Sequence, residues 1–143
     1  MKPIHILLVE DNEGDILLTT EALADSKILN TVGIARNGKE ALDYIFKRGV
    51  FVDAPTPNLV LLDINLPFKN GHEVLQTIKG HREVQHLPVI MLTTSSSERD
   101  IRLSYEHRAN CYISKPVEAD QFLNAISAMD NLWINIVSLP ANE

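Results

Sequence analysis

Apolar residues along this chain come in short unbroken runs, separated by stretches in which they recur every three or four positions. Ile4 to Val9 is the first run, rich in Ile, Leu and Val and cut off by Glu10 and Asp11, which predicts a buried strand. Asn12 offers a side-chain oxygen as a helix cap, and Ile16, Leu17, Leu23, Ala24 and Ile28 recur at roughly helical spacing behind it. Val32 to Ala35 predicts a second strand closed by Asn37-Gly38, and Ala41, Leu42, Ile45 and Phe46 a second helix. Pro55 and Pro57 break the chain before a third strand, Leu59 to Leu62; a loop ending at Gly71 then leads to a helical stripe of Val74, Leu75 and Ile78. Pro88 opens a fourth strand, Val89 to Leu92, and Glu98 to Arg108 reads as a polar helix with a thin apolar face of Ile101, Leu103 and Tyr105. The strand Cys111 to Ile113 and a last helix from about Glu118 complete the series. Strands alternating with helices imply parallel strands joined by right-handed crossovers, hence a five-stranded doubly wound α/β sheet with helices on both faces.

With 143 residues, one domain is the expectation. A composition of 45% hydrophobic and 22% charged residues is that of a globular protein rather than a disordered or fibrous one. The net charge of −6 argues against nucleic acid as a partner, since phosphate backbones are held by clustered Lys and Arg. Cys111 is the only cysteine, so an intramolecular disulfide and a cysteine metal cluster are excluded. The N-terminal apolar run is too short for a signal sequence and no run reaches membrane-spanning length, so the expected location is the cytoplasm, away from the membrane.

In a doubly wound sheet, ligands sit beyond the carboxyl ends of the strands. Those ends are polar here: Glu10-Asp11 after the first strand, Asp63 after the third, Thr93-Thr94 after the fourth, and Ser114-Lys115-Pro116 after the fifth. Any one of these side chains alone is most simply a solvated loop or cap residue. Together they place three carboxylates, a hydroxyl and an ammonium on one rim, and crowded anions demand a neutralising cation. Mg²⁺ suits such oxygen ligands. On this reading Asp11 and Asp63 ligate it, Glu10 acts directly or through a water, and the backbone carbonyl of Asn65 completes the protein's share. Asp63 is also a candidate nucleophile toward phosphorus, with Thr93 and Lys115 binding the phosphoryl oxygens. Lys115 is expected to serve the phosphoryl group rather than the resting acidic pocket. The five histidines follow no metal-ligand spacing.

The segments ILLVEDN, LVLLDINLPFKNG, PVIMLTTS and CYISKP, in this order and spacing, resemble the receiver domain of two-component response regulators from Ile4 to about Met129. The resemblance implies a flavodoxin-like sheet of order 2-1-3-4-5 and an aspartyl-phosphate switch charged by a sensor histidine kinase. It implies that Asp63 is the phosphoacceptor, Glu10 and Asp11 the acidic metal pair, Thr93 the switch hydroxyl, Lys115 the phosphate-binding lysine and Tyr112 the switch aromatic. It also implies a cis Lys115-Pro116 bond. Within the family, VEDNEGDILLTTEAL and the Pro-containing segment before Leu59 look most like the small regulators paired with bacterial and cyanobacterial phytochrome kinases. The expected organisation is a receiver domain over 1–130 and a C-terminal extension over 131–143, with no separate output domain.

Three alternatives compete. A haloacid-dehalogenase-type phosphatase resembles D-x-D, but here Asn65 stands at the second position and cannot act as an acid. A flavin binder needs a Ser/Thr/Gly-rich phosphate loop where Glu10-Asp11-Asn12-Glu13 would repel the phosphate. A binding module that is never phosphorylated has no need to store repelling carboxylates. Finally, Phe122, Ile126, Met129, Trp133 and Ile136 continue one helical stripe, with Leu132, Ile134, Val137 and Leu139 adding apolar surface. That stripe predicts a homodimer built from the tail and the face of the fourth helix, fifth strand and last helix.

Overall fold

Side chains of a strand alternate between its two faces, and this alternation sorts the apolar runs into two core layers. In the computed structural model, residues 3–94 and 98–129 are described, with 98–100 and 104 described by backbone alone. The strands are β1 (Ile4–Val9), β2 (Asn30–Ala35), β3 (Leu59–Asp63), β4 (Val89–Thr93) and β5 (Cys111–Ser114). They form one five-stranded parallel sheet of order β2-β1-β3-β4-β5, as expected. Ile6, Leu8, Leu59, Leu61, Ile90 and Leu92 face helices α1 (Glu13–Asp25) and α5 (Ala119–Ser127) through Ile16, Leu23, Phe122 and Ile126. Their neighbours Leu7, Val9, Val60, Leu62, Val89 and Met91 face α2 (Gly38–Phe46) and α3 (Gly71–Gly80) through Ala41, Leu42, Ile45, Val74, Leu75 and Ile78. Each such side chain contributes roughly 1.5–3 kcal/mol on burial, so the central strands carry a large share of the apolar stabilisation. Helix α4 (Glu98–Glu106) precedes β5.

Three helices start on asparagine. The side-chain oxygens of Asn12, Asn37 and Asn70 accept the backbone N–H of Asp15, Glu40 and Glu73 at 2.9, 2.8 and 3.0 Å. Glu73 returns the bond to the Asn70 N–H at 3.2 Å, completing a capping box. Each cap is worth about 1 kcal/mol and fixes where a helix leaves the carboxyl rim of the sheet. Three of the strands run one residue further than the apolar runs: Asp63, Thr93 and Ser114 are the last residues of β3, β4 and β5. The polar rim is thereby held by the sheet itself.

The structure corrects the expected α1 stripe. Leu17 is 58% exposed and Ala24 is exposed, whereas Thr19 is buried between Ile16 and Leu23. Ile28 is buried but lies beyond the end of α1, in a turn where the Ser26 hydroxyl accepts its N–H at 3.0 Å. A short 3₁₀ turn, Gly49–Phe51, brings Phe51 against Tyr44, with ring centroids 5.3 Å apart. Of the C-terminal stripe, Phe122, Ile126 and Met129 are buried in the α1/α5 layer, while Trp133 and Ile136 lie outside the described residues. Among the described residues, no helix is long and apolar enough to cross a membrane.

Gly71 opens α3 directly against the end of β3. Its N–H donates to the Ile64 carbonyl at 2.8 Å, and a Cβ there would stand 2.7 Å from Ile64 Cα and closer still to the Asp63 carbonyl oxygen. Backbone cannot yield as a side chain does, so Gly71→Ala is expected to cost about 1–3 kcal/mol. A urea titration with unchanged midpoint would contradict this close approach.

Candidate functional site

The site is built where four strands end side by side. The Glu10 N–H donates to the Ala35 carbonyl at 3.0 Å, extending the β1–β2 ladder by one residue, and the Glu10 side chain is fully buried. Asp63, 3% exposed, is followed by Ile64, whose N–H donates to the Leu92 carbonyl at 3.1 Å. The Lys115 N–H donates to the Thr93 carbonyl at 2.7 Å, and Lys115-Pro116 is cis, as the resemblance implies.

One oxygen each from Glu10, Asp11 and Asp63 lies within 4.8 Å of the others. Two ligands on opposite sides of a Mg²⁺-sized ion, with bonds of about 2.1 Å, stand about 4.2 Å apart, so the cluster fits a hard divalent cation with only a small inward movement. Asp11 is the exposed member and opens the cluster to solvent. Burial, helped by the hydrogen bond and negative charge of Glu10, pushes the Asp63 carboxyl up to about 7, against the opposing pull of Lys115 and the Asn65 N–H. That N–H donates to Asp63 Oδ1 at 3.3 Å.

Lys115 is already engaged by the acids. Its Nζ stands 2.8 Å from Glu10 Oε1, 2.9 Å from Asp15 Oδ2 and 3.4 Å from Asp63 Oδ2. The expectation that this ammonium serves the phosphoryl group rather than the resting pocket is therefore corrected. Burial alone would lower its pKa, but hydrogen bonds to Glu10 and Asp15 and the charges of Asp63 and Glu10 outweigh that and raise it. Asp15 is the member that sequence reasoning missed. Its one local signal is an acid in the first helical turn, three residues after the cap Asn12.

Thr93 is 1% exposed at the end of β4. Met91 pairs with Tyr112 and Thr93 with Ser114, so Thr93 and Tyr112 occupy diagonal positions on one face of the sheet. Tyr112 is half-buried against the α2/α3 layer and meets Tyr105 edge to face, with ring centroids 5.9 Å apart. The structure thus gathers Glu10, Asp11, Asp63 and Lys115 into one cluster, seats Thr93 on the neighbouring strand end, and sets Tyr112 one pleat behind it.

The family model of the response regulator receiver domain matches residues 6–127, which include all of these side chains. The chain belongs to the response regulator receiver family, a class of signalling switches that work with sensor histidine kinases. It is 40% identical over 139 residues to response regulator Rcp1 of Synechocystis, covering 97% of this chain and 95% of that protein. The Mn²⁺-bound structure of Rcp1 aligns with a TM-score of 0.75 at 39% identity, over 92% of this chain and 94% of that one. The bacteriophytochrome response regulator AtBRR aligns with a TM-score of 0.81 at 46% identity, over 90% and 93% of the two chains. The phosphorylated cyanobacterial phytochrome response regulator RcpA gives 0.77 at 41%, over 93% and 95%. This protein is a receiver-domain response regulator, a component of phosphorylation-based signalling with phytochrome-linked relatives.

Proposed function

We propose that Asp63 takes up a phosphoryl group from a phosphohistidine on a phytochrome-type sensor histidine kinase, with Mg²⁺ as the metal. The observation that carries this reading is a buried carboxylate, Asp63, set between an acidic pair and the ammonium of Lys115. Mg²⁺ is also the reading favoured by an all-oxygen donor set. Asp11, Asp63 and the backbone carbonyl of Asn65 hold the ion, and Glu10 does so directly or through a water. Bound there, the metal neutralises the acids and offsets charge on the transferring group.

An Asp63 carboxylate oxygen attacks phosphorus, the P–N bond of the donor breaks, and the departing imidazole nitrogen takes up a proton. The Thr93 hydroxyl and the Lys115 ammonium then hold phosphoryl oxygens. Attack of water on phosphorus breaks the P–O bond to Asp63 and returns the carboxylate, so the only reactions promoted are the protein's own phosphorylation and dephosphorylation. Drawing the Thr93 hydroxyl to the new anion moves Tyr112 on the same sheet face and reshapes the surface of α4, β5 and α5. Residues 1–130 act as the receiver, in the cytoplasm, with protein rather than nucleic-acid partners. Two copies pair through that surface and the apolar residues of 131–143.

Incubation with acetyl phosphate and Mg²⁺ is expected to add one phosphoryl group by intact mass, and the product to be lost to hydroxylamine. An unchanged mass, or equal labelling in excess chelator, overturns the reading. Transfer from a phytochrome kinase no faster than from unrelated kinases removes that pairing alone.

A further inference from the structure

The Lys115 ammonium has three hydrogens, and three carboxylates surround it. Of these, Glu10 and Asp63 belong to the cluster that fits a cation, and Asp15 does not. Asp15 comes from another element, the first turn of α1, where the Asn12 side chain holds its N–H at 2.9 Å. From there its Oδ2 stands 2.9 Å from Nζ, nearer than the 3.4 Å that separates Nζ from Asp63. The Lys115 side chain is 9% exposed and that of Asp15 35%, so the pair is only partly screened by water. Among the described residues, Lys115 is the one cation paired with Asp15.

A phosphoryl group on Asp63 brings close to two negative charges to the place where Lys115 must deliver a donor. Glu10 can exchange its share of the ammonium for a bound metal. Asp15 lies outside that cluster and loses its partner outright, or stays paired and repels the incoming anion.

We propose that Asp15 is a positioning residue for the phosphoryl site, holding the Lys115 ammonium off Asp63 at rest and thereby setting how strongly the site takes an anion. This rests on the reading of Asp63 as phosphoacceptor and Lys115 as its phosphoryl-binding cation. Removing the charge at position 15 frees the ammonium for Asp63 and its ligand, so anion affinity rises. The gain is roughly three- to tenfold, the size expected for one partly shielded ion pair.

The test uses beryllium fluoride as a noncovalent phosphoryl mimic, titrated by calorimetry at saturating Mg²⁺ into the full chain. Asp15→Asn and Asp15→Ser are each expected to tighten binding three- to tenfold, and Asp15→Glu, which keeps the charge, to bind as the wild type does; loss of a first-turn acid's helix stabilisation in the first two variants would not by itself tighten anion binding. In a Lys115→Ala background the Asp15→Asn gain is expected to vanish, because the effect runs through the ammonium. Unchanged or weakened binding by both Asp15→Asn and Asp15→Ser, or an equal gain without Lys115, overturns the inference while normal wild-type binding leaves the phosphoacceptor reading standing. Wild-type protein that shows no Mg²⁺-dependent binding overturns both.

Discussion

Asp63→Asn is expected to abolish phosphoryl incorporation and, in the same protein without metal, to raise stability at pH 8 by roughly 2–4 kcal/mol, the upper end being the whole pKa shift and the lower end an amide that replaces the protonated acid imperfectly. The first effect follows from the loss of the attacking carboxylate. The second follows from the neighbourhood: the Asp63 side chain is 4% exposed, and burial together with Glu10 pushes its carboxyl up to about 7 from an ordinary 3.8. A carboxyl whose folded pKa lies above its unfolded one stabilises the fold below the unfolded pKa, and that contribution is lost as pH rises through 7. At pH 8 the metal-free protein therefore carries the full cost of a buried, crowded anion. The Asn amide resembles the protonated acid in that it can donate to Glu10 without bringing a charge. The two outcomes together are diagnostic, since a variant inactive through misfolding would melt lower. Continued incorporation would move the acceptor to another residue, and a lower melting temperature at pH 8 would show that Asp63 is not under this electrostatic load.

The parts of this fold that could be read from sequence are those determined by local chemistry. Leu59 to Leu62 and Val89 to Leu92 are unbroken apolar runs because both of their sheet faces are covered, and such runs announce a buried parallel strand. Asn12 declares its helix start for the same kind of reason, since its capping partner is three residues away. The rim residues Glu10, Asp11, Asp63, Thr93 and Lys115 were legible because each lies within two residues of the end of such a run. What escaped depends on contacts that local pattern does not encode. Helix α1 shares its side of the sheet with α5 and buries only a narrow line of Ile16, Thr19 and Leu23, so Leu17 and Ala24, though apolar, turn outward. Lys79 lies in the buried stripe of α3 because the carbonyls of Gln85 and Leu87 receive its ammonium at 3.0 and 2.6 Å, which no periodicity could foretell. The Asp15–Lys115 pair joins residues 100 positions apart. Only the folded sheet brings them together.

The raised Asp63 carboxyl also dictates how metal binding depends on pH. A carboxylate oxygen cannot both keep its proton and share the same lone pair with a cation, so below about 7 the metal must first displace a proton from Asp63. Apparent Mg²⁺ affinity is then expected to fall about tenfold for each pH unit below 7 and to level off above it. For an isolated aspartate the same break would come near 3.8. Calorimetry in buffers of different ionisation enthalpy should register close to one proton released per ion bound at pH 6, and far less at pH 8. In Asp63→Asn the proton is gone, so whatever weak affinity the remaining ligands retain should be flat across this interval. Metal affinity that is already flat between pH 5.5 and 8 in the wild-type protein would mean that Asp63 is ionised throughout, with the Lys115 ammonium outweighing the burial and the charge of Glu10.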